Sequence, residues 1–296
     1  MKIQNHQLVK ETGSEKIVLL NSPNAREIID PDYLVIHYTA GDTAQSAINW
    51  FMDSANNPDK IAAHIVLDTD GTITQLVPFN RRANHAGTST WDGVENFNFH
   101  SIGIEIVNPG YVEKLSNGTF RRKVTNTKFQ TYPASRSVDI IKTKHKHKFW
   151  TGADNNYWFK FPQAQLNALY KLSKLLVEQY QLVTAVGHDD ISAARKPDPG
   201  PAFPWNEFKL NVLNKTDDIG KIFIVNTNST NFRAAPTTNA AVIKKLNTGF
   251  EVGLIETSGA WNKVYLVNDK KDVLINNRSV KTIGWVHSTL LSLKAV

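Results

Sequence analysis

The stretch GHDDISAARKPDPGPAFPW, residues 187–205, concentrates side chains that can perform metal and acid–base chemistry. It contains His188 and Asp198, with Lys196 two positions before the aspartate. A catalytic zinc takes three protein ligands from histidine, carboxylate or thiolate, and keeps one position open. Because the chain has no cysteine, histidine and aspartate are the available ligands. Prolines on both sides of Asp198 restrict its backbone, which reduces the entropy that a held ligand loses.

A third ligand has to come from another segment, and His37 is the candidate. It lies in DYLVIHYTA, residues 32–40, a nearly continuous apolar run that predicts a buried strand. Sites in open α/β sheets lie at strand ends, where this histidine would be. Taken alone, each histidine is more typical of a hydrogen-bonded structural residue. Together with the residues described next, the set favours a zinc site.

An acidic residue interrupts the apolar strand predicted at SIGIEIV, residues 101–107. Strand alternation puts the isoleucines on one face and leaves Gly103 and Glu105 on the other. A buried unpaired carboxylate is costly, so Glu105 is either ion-paired, exposed or functional. Beside a zinc ion and its water it would act as general base and then protonate a leaving amine. Lys196 can reach the same cavity, where a fixed cation would stabilise an oxyanion.

The segments that carry these residues predict an α/β layer structure over residues 1–215. Residues 43–55 and 161–180 have apolar side chains at helical spacing. The run IAAHIVLDTDGTITQLVP alternates on both sides of an Asp-Gly pair, which indicates a hairpin.

A long basic insertion, about residues 111–157, separates the SIGIEIV strand from the second helix and lacks clear periodicity. His145 and His147 lie within it among several lysines. Because like charges disfavour a bound cation, we interpret this segment as a solvated basic loop rather than a second metal site.

Residues 216–296 have a different pattern, with short strand-like runs separated by Asn, Gly, Ser and Thr turns. This predicts a small all-β barrel or sandwich. The net charge of +7 favours a polyanionic partner, which could be nucleic acid, anionic lipid or an acidic cell-wall polymer. No apolar run is long enough to cross a bilayer, and MKIQNHQLVKETGSEK has no apolar region typical of a secretory signal.

Four motifs in this order resemble the zinc-dependent N-acetylmuramoyl-L-alanine amidases of the type 2 amidase family, which is related to peptidoglycan-recognition proteins: VIHYTAG, AAHIVLDTDGTITQLVPFNRRANHAG, SIGIEIVNPG and GHDDISAARKPDPGPAFPW. The resemblance covers roughly residues 30–210. It implies a central mixed β-sheet flanked by helices. It also implies one zinc per chain, held by His37, His188 and Asp198. Glu105 would be the catalytic residue, and Lys196 would stabilise the oxyanion.

Three further positions match the family's cleft: His64, His85 and Arg195. We expect them to bind substrate, although a purely structural role is an equal alternative for the two histidines. The basic insertion after Gly110 departs from the compact members of the family.

The implied activity is hydrolysis of the amide between the lactyl group of N-acetylmuramic acid and L-alanine, in peptidoglycan or muropeptides. The alternative is a noncatalytic peptidoglycan-binding module, whose relatives typically lack a zinc ligand. A nucleic-acid partner is not expected, because no recognition motif accompanies the basic charge. The substrate implies a location in the cell envelope, either periplasmic or secreted, and we expect a monomer.

The C-terminal region resembles a bacterial SH3-like domain through three motifs: NFRAAPTTNAAVIKKLNTGFEV, GAWNKVYLV and IGWVHSTLL. The resemblance implies cell-wall targeting, and the alternative is a stabilising appendage that binds nothing. If the domain has a binding groove, we expect Trp261, Tyr265 or Trp285 to pack against a peptide stem.

Overall fold

The computed structural model describes residues 1–147, 150, 157–213, 221–267, 273–275, 278–280 and 282–294. The chain divides into two compact units, Met1–Pro204 and Trp205–Val296. The division lies before the predicted boundary after residue 215, so the helix Trp205–Leu213 belongs to the second unit. Within the described part, no helix combines the length and apolar composition needed to cross a membrane.

The first unit alternates short strands with three helices. In chain order its elements are β1 (Lys2–Gln4), β2 (Gln7–Val9), β3 (Ile17–Leu19), β4 (Tyr33–Tyr38), α1 (Ala44–Met52), β5 (Ile65–Leu67), β6 (Ile73–Gln75), β7 (Thr90–Trp91), β8 (Val94–Glu95), β9 (Ser101–Ile106), β10 (Tyr111–Lys114), β11 (Phe120–Lys123), β12 (Phe129–Tyr132), β13 (Ile140–Lys142), β14 (Tyr157–Phe159), α2 (Gln163–Tyr180), β15 (Thr184–Gly187) and α3 (His188–Ile191). Two 3-10 turns span Phe97–Phe99 and Ala134–Asp139.

A six-stranded mixed sheet in the order β15-β4-β9-β5-β6-β3 forms the centre of this unit. The pairs β15–β4, β4–β9 and β9–β5 are parallel, and the hairpin β5–β6 is antiparallel, as the Asp-Gly pair predicts. All six residues of β4 are buried, which explains its nearly continuous apolar sequence. The predicted α/β architecture is confirmed for this unit.

Helices α1 and α2 begin where the sequence provides a suitable residue. Thr43 is the N-cap of α1, and its hydroxyl accepts a hydrogen bond from the Ser46 amide. Pro162 occupies the N-cap position of α2. The buried side chain of Gln165 donates to the carbonyls of Leu67 and Val107 at 3.1 and 3.0 Å, which ties α2 to the ends of β5 and β9.

The described part of the insertion and the strand β14 at its end form a five-stranded antiparallel sheet in the order β12-β11-β10-β14-β13. Our interpretation of it as a solvated loop is therefore wrong. Its strands have three or four residues each, so their alternation is too short to stand out among the charged side chains. The sheet has its own buried core: Val112, Phe120, Tyr132, Ile140 and Phe159.

The second unit begins with α4 (Trp205–Leu213) and is otherwise mostly strands. These are β16 (Ile222–Val225), β17 (Thr230–Arg233), β18 (Val242–Leu246), β19 (Glu251–Ser258), β20 (Trp261–Leu266), β21 (Val273–Ile275), β22 (Arg278–Val280), β23 (Ile283–His287) and β24 (Leu291–Leu293), with a 3-10 turn at Ser288–Leu290. Seven of them form an antiparallel sheet in the order β18-β17-β23-β20-β19-β16-β24. The predicted all-β character of this region is confirmed for its described strands.

Candidate metal centre and active site

The carboxyl ends of β15, β4 and β9 bring the predicted site residues together. His37 on β4 is the register partner of Glu105 on β9, so the two side chains lie side by side on one face of the sheet. His188 directly follows β15, whose last residue pairs with Ile36. Asp198 comes from the proline-rich loop, whose position is fixed by a 2.7 Å hydrogen bond from the Asp189 amide to the Asp198 carbonyl.

Three buried donor atoms converge at this edge. The Nδ1 atoms of His37 and His188 are 2.8 Å apart, and they lie 3.1 and 3.0 Å from Oδ2 of Asp198. All three side chains are buried. Among the described residues, this is the group of histidine and carboxylate side chains that could hold a metal ion.

The hydrogen bond on the far side of the His188 ring determines its tautomer. Nε2 lies 3.0 Å from the carbonyl oxygen of Ala86, an atom that can only accept. Nε2 of the neutral ring therefore carries the proton, and Nδ1 keeps its lone pair pointing toward Asp198.

A chain of hydrogen bonds leads to the same result for His37. The Ser101 hydroxyl donates to the Phe97 carbonyl, so its oxygen accepts from Nε2 of His85 at 3.4 Å. Nδ1 of a neutral His85 is then an acceptor, and Nε2 of His37, 2.9 Å away, donates to it. Nδ1 of His37 is left unprotonated, like Nδ1 of His188.

The electrostatics keep His37 and Asp198 free of protons. Burial, followed by the neighbouring His188, lowers the pKa of His37 to about 4. Burial alone would raise the pKa of Asp198, but His188 and His37 together hold it well below its usual range. With both rings in these tautomers, two lone pairs and a carboxylate face one another, and a cation is the partner that satisfies them. Two imidazoles and one carboxylate are a ligand set that zinc takes in catalytic sites.

Glu105 and Lys196 line the same cavity as the donors, a cleft of about 890 Å³. Oε2 of Glu105 is buried and has no hydrogen-bond partner among the described residues. Burial, and then the negative charge of Asp198, raise the pKa of Glu105 well above its usual range, while Lys196 acts in the opposite direction. A desolvated carboxyl with an oppositely charged neighbour in a cleft is typical of a catalytic acid or base.

His64 does not lie among the residues that line this cleft. Its ring is fully buried; Nδ1 accepts from the Gly103 amide at 3.0 Å and Nε2 donates to the Arg81 carbonyl at 2.8 Å. Because the backbone uses both nitrogens, the geometry favours the structural alternative for this histidine over substrate binding.

His85 and Arg195 do line the cleft, and both also support the donors. His85 fixes the orientation of His37, as described above. Nη2 of Arg195 donates to the carbonyls of Ala86 and Thr88 at 2.7 and 2.9 Å. It thereby holds the loop whose Ala86 carbonyl orients His188.

Sequence reasoning missed the groups that support the donors. Oδ1 of Asn98 accepts from the amides of His85 and Ala86 at 2.9 and 2.7 Å, which fixes the loop between them. The Ala86 carbonyl belongs to the backbone, so no residue type could signal it. Tyr111 and Trp150 of the insertion also line the cleft. The sequence could not show this, because their position depends on how the insertion folds.

The fold and the site together define a class: α/β proteins in which buried histidine and aspartate side chains that could hold a metal ion adjoin a desolvated carboxyl and a cation. The family follows from comparison with known proteins. Residues 27–201 match the Amidase_2 family, described as N-acetylmuramoyl-L-alanine amidase, and the chain belongs to this family.

Two curated relatives from Escherichia coli K12 are similar to this chain. N-acetylmuramoyl-L-alanine amidase AmiD is 30% identical over 193 residues, which are 64% of this chain and 56% of AmiD. 1,6-Anhydro-N-acetylmuramyl-L-alanine amidase AmpD is 29% identical over 159 residues, 53% of this chain and 61% of AmpD. The chain thus spans little more than half the length of these relatives.

Two solved structures are also similar. A crystal structure of an AmpD derivative aligns at 23% identity with a TM-score of 0.47, covering 72% of this chain and 99% of its own. A complex of E. coli AmiD with a substrate aligns at 28% identity with a TM-score of 0.44, covering 62% of this chain and 58% of its own.

Gly103→Ala tests whether His85 positions a metal ligand. A Cβ at Gly103 would overlap the His85 ring, so the ring has to move and its hydrogen bond to His37 is lost. We expect zinc affinity to fall by about 10- to 100-fold, as when other outer partners of metal-binding histidines are removed. Gly13→Ala is the control for backbone strain: its φ is +76°, but a Cβ there meets open space and Gly13 does not line the cleft. Competition with a chromophoric chelator measures the affinity, and equal affinities for the two variants would contradict this role.

Proposed function

We propose that the chain is a zinc-dependent N-acetylmuramoyl-L-alanine amidase. It hydrolyses the amide between the lactyl group of N-acetylmuramic acid and L-alanine, in peptidoglycan or muropeptides. The observation that carries the proposal is the convergence of three buried, unprotonated donors beside Glu105 and Lys196. The family match and the names of AmiD and AmpD support the choice of bond. With such a substrate the protein acts in the cell envelope, periplasmic or secreted.

His37, His188 and Asp198 would hold one zinc ion through the two Nδ1 atoms and Oδ2. When bound, the ion supplies a Lewis acid that polarises the amide carbonyl and lowers the pKa of water. The residues fit it because a neighbour orients each imidazole ring so that Nδ1 faces the Asp198 carboxylate. Holding the ion therefore requires little rearrangement of the protein.

Glu105 moves the proton in this reaction. Its carboxylate accepts a proton from the attacking water, whose oxygen bonds to the carbonyl carbon. It then gives that proton to the nitrogen as the C–N bond breaks. The remaining proton of the water passes from the new carboxyl to the amine, so the products are a lactyl carboxylate and an L-alanine ammonium group. Nearby positive charge favours the ionised form that the base requires, and Lys196 already acts on the pKa of Glu105 in this direction.

Lys196 stabilises the negative charge that develops on the carbonyl oxygen. Its side chain lines the cleft, and its charge reaches both His37 and Glu105, since it lowers the pKa of each. A fixed cation in a water-poor site contributes more to the transition state than the same charge would in water.

Three variants separate holding the metal from catalysis. Asp198→Ala should lose most bound zinc, because two protein ligands make a weak site. Glu105→Gln and Lys196→Ala should keep one zinc per chain while kcat on a soluble muropeptide falls by about a hundredfold or more. Elemental analysis and product assays give the two readouts.

The exposed residues of the first unit provide matched controls. Glu178→Gln and Lys171→Ala make the same chemical changes on the surface of α2 and should retain full zinc content and turnover. Wild-type protein with stoichiometric zinc and no hydrolysis would instead favour the noncatalytic binding module. Unchanged kcat in Glu105→Gln would rule out our role for that residue.

For the second unit we propose an SH3-like domain that binds the cell wall. Its support is the antiparallel sheet, and a cavity of about 290 Å³ that Trp261 and His287 line with ring centroids 5.2 Å apart. Trp285 lies on the same strand face as Lys263, whose Nζ is 5.9 Å from the ring. The expectation for Tyr265 is wrong, because its side chain is fully buried over Gly253 and cannot contact a ligand.

Trp261→Ala in the full-length chain tests wall binding. Charge attraction to an acidic polymer weakens as salt rises, whereas aromatic packing in a groove persists. We expect this variant to sediment less with insoluble peptidoglycan at high salt. Ile243→Ala, which removes an exposed apolar side chain outside the cavity, should sediment like the wild type. Equal sedimentation of both variants would leave the unit as a stabilising appendage.

A further inference from the structure

The insertion contacts the metal-ligand loop through one buried histidine. His145 follows β13 and is 3% exposed, despite the lysines on either side of it. Its Nδ1 accepts a hydrogen bond from the His147 amide at 3.0 Å, which leaves Nε2 as the protonated nitrogen. The ring lies against Trp158 of β14, with centroids 5.6 Å apart, so the insertion's own sheet holds it in place.

Nε2 of His145 faces two acceptors, and each belongs to a residue adjacent to a metal donor. Oδ2 of Asp189 lies 3.1 Å away, and Asp189 directly follows His188. The carbonyl oxygen of Pro197 also lies 3.1 Å away, and Pro197 directly precedes Asp198. One imidazole therefore joins the two chain segments that carry two of the three donors.

The neighbouring contacts hold this arrangement together. Lys146 forms ion pairs with Asp189 at 3.1 Å and Asp190 at 2.5 Å, and the side chain of Asp189 is buried. The Asp189 amide donates to the Asp198 carbonyl, which closes a short ring of contacts through His145. A buried carboxylate at Asp189 would be costly without these partners.

We propose that His145 is a positioning residue for the metal site: its Nε2–H holds the His188 and Asp198 segments at the spacing that zinc needs. This inference rests on the proposed zinc site. It also assigns a role to the insertion, because His145 of the insertion fixes the position of the loop that carries Asp198. Groups that orient metal ligands in this way typically account for a factor of about 10 to 100 in affinity.

Two substitutions at His145 separate its two nitrogens. Glutamine places an amide N–H near the position of Nε2, whereas asparagine places its amide near Nδ1 and leaves both acceptors without a donor. In the full-length metal-free protein, we expect His145→Asn to weaken zinc binding by about 10- to 100-fold and His145→Gln to stay within about threefold of wild type. Competition with a chromophoric chelator measures each dissociation constant.

Ile140→Ala is the matched control for general loosening of the insertion. It opens space in the insertion's core without touching the ligand loop, so it should lower thermal stability and leave zinc affinity unchanged. Equal weakening by Ile140→Ala and His145→Asn would overturn the proposal, as would wild-type affinity in His145→Asn or weak binding in His145→Gln. Wild-type protein that binds no zinc would overturn the proposed function and this inference together. The variant results above, obtained with wild-type protein that does bind zinc, would overturn this inference alone.

Discussion

Three hydrogen-bond acceptors without a proton between them set the constraint on which the first unit depends. Two imidazole Nδ1 atoms and a carboxylate oxygen lie 2.8 to 3.1 Å apart in a buried position. Such an arrangement is repulsive without a cation, so the surrounding structure has to enforce it. The parallel register of β4 and β9, the loop held by Asn98 and Arg195, and the insertion's His145 each fix one part of it.

The same constraint accounts for the acid–base chemistry. Burial removes water from the donors and from Glu105, which raises the pKa of this carboxyl and lowers that of His37. The charge of Lys196 lowers the pKa of both groups, although burial has the larger effect on each. In the proposed function, the same desolvation therefore serves both the holding of a metal and proton transfer by Glu105.

Strand alternation was enough to predict the core of the site. It put Glu105 on the face away from the isoleucines and His37 at the end of a buried strand, and the proline-rich loop identified His188 and Asp198. That β4 and β9 are neighbours, with His37 paired to Glu105, is visible only in the structure. Alternation could not show the insertion's fold, because its strands are only three or four residues long. Nor could it show that His145 is buried. The lysines around His145 predict an exposed segment, and its hydrogen-bond acceptors on Asp189 and Pro197 lie more than forty residues away in the sequence.

Mass spectrometry of the products from one purified muropeptide tests the central claim most directly. The zinc-loaded protein should release a peptide with a free L-alanine amino terminus and leave N-acetylmuramic acid with its lactyl carboxylate restored. The Glu105→Gln variant, loaded with the same amount of zinc, should leave the substrate almost intact. Cleavage within the sugar or between amino acids, or an intact substrate with zinc-loaded wild-type protein, would contradict the account.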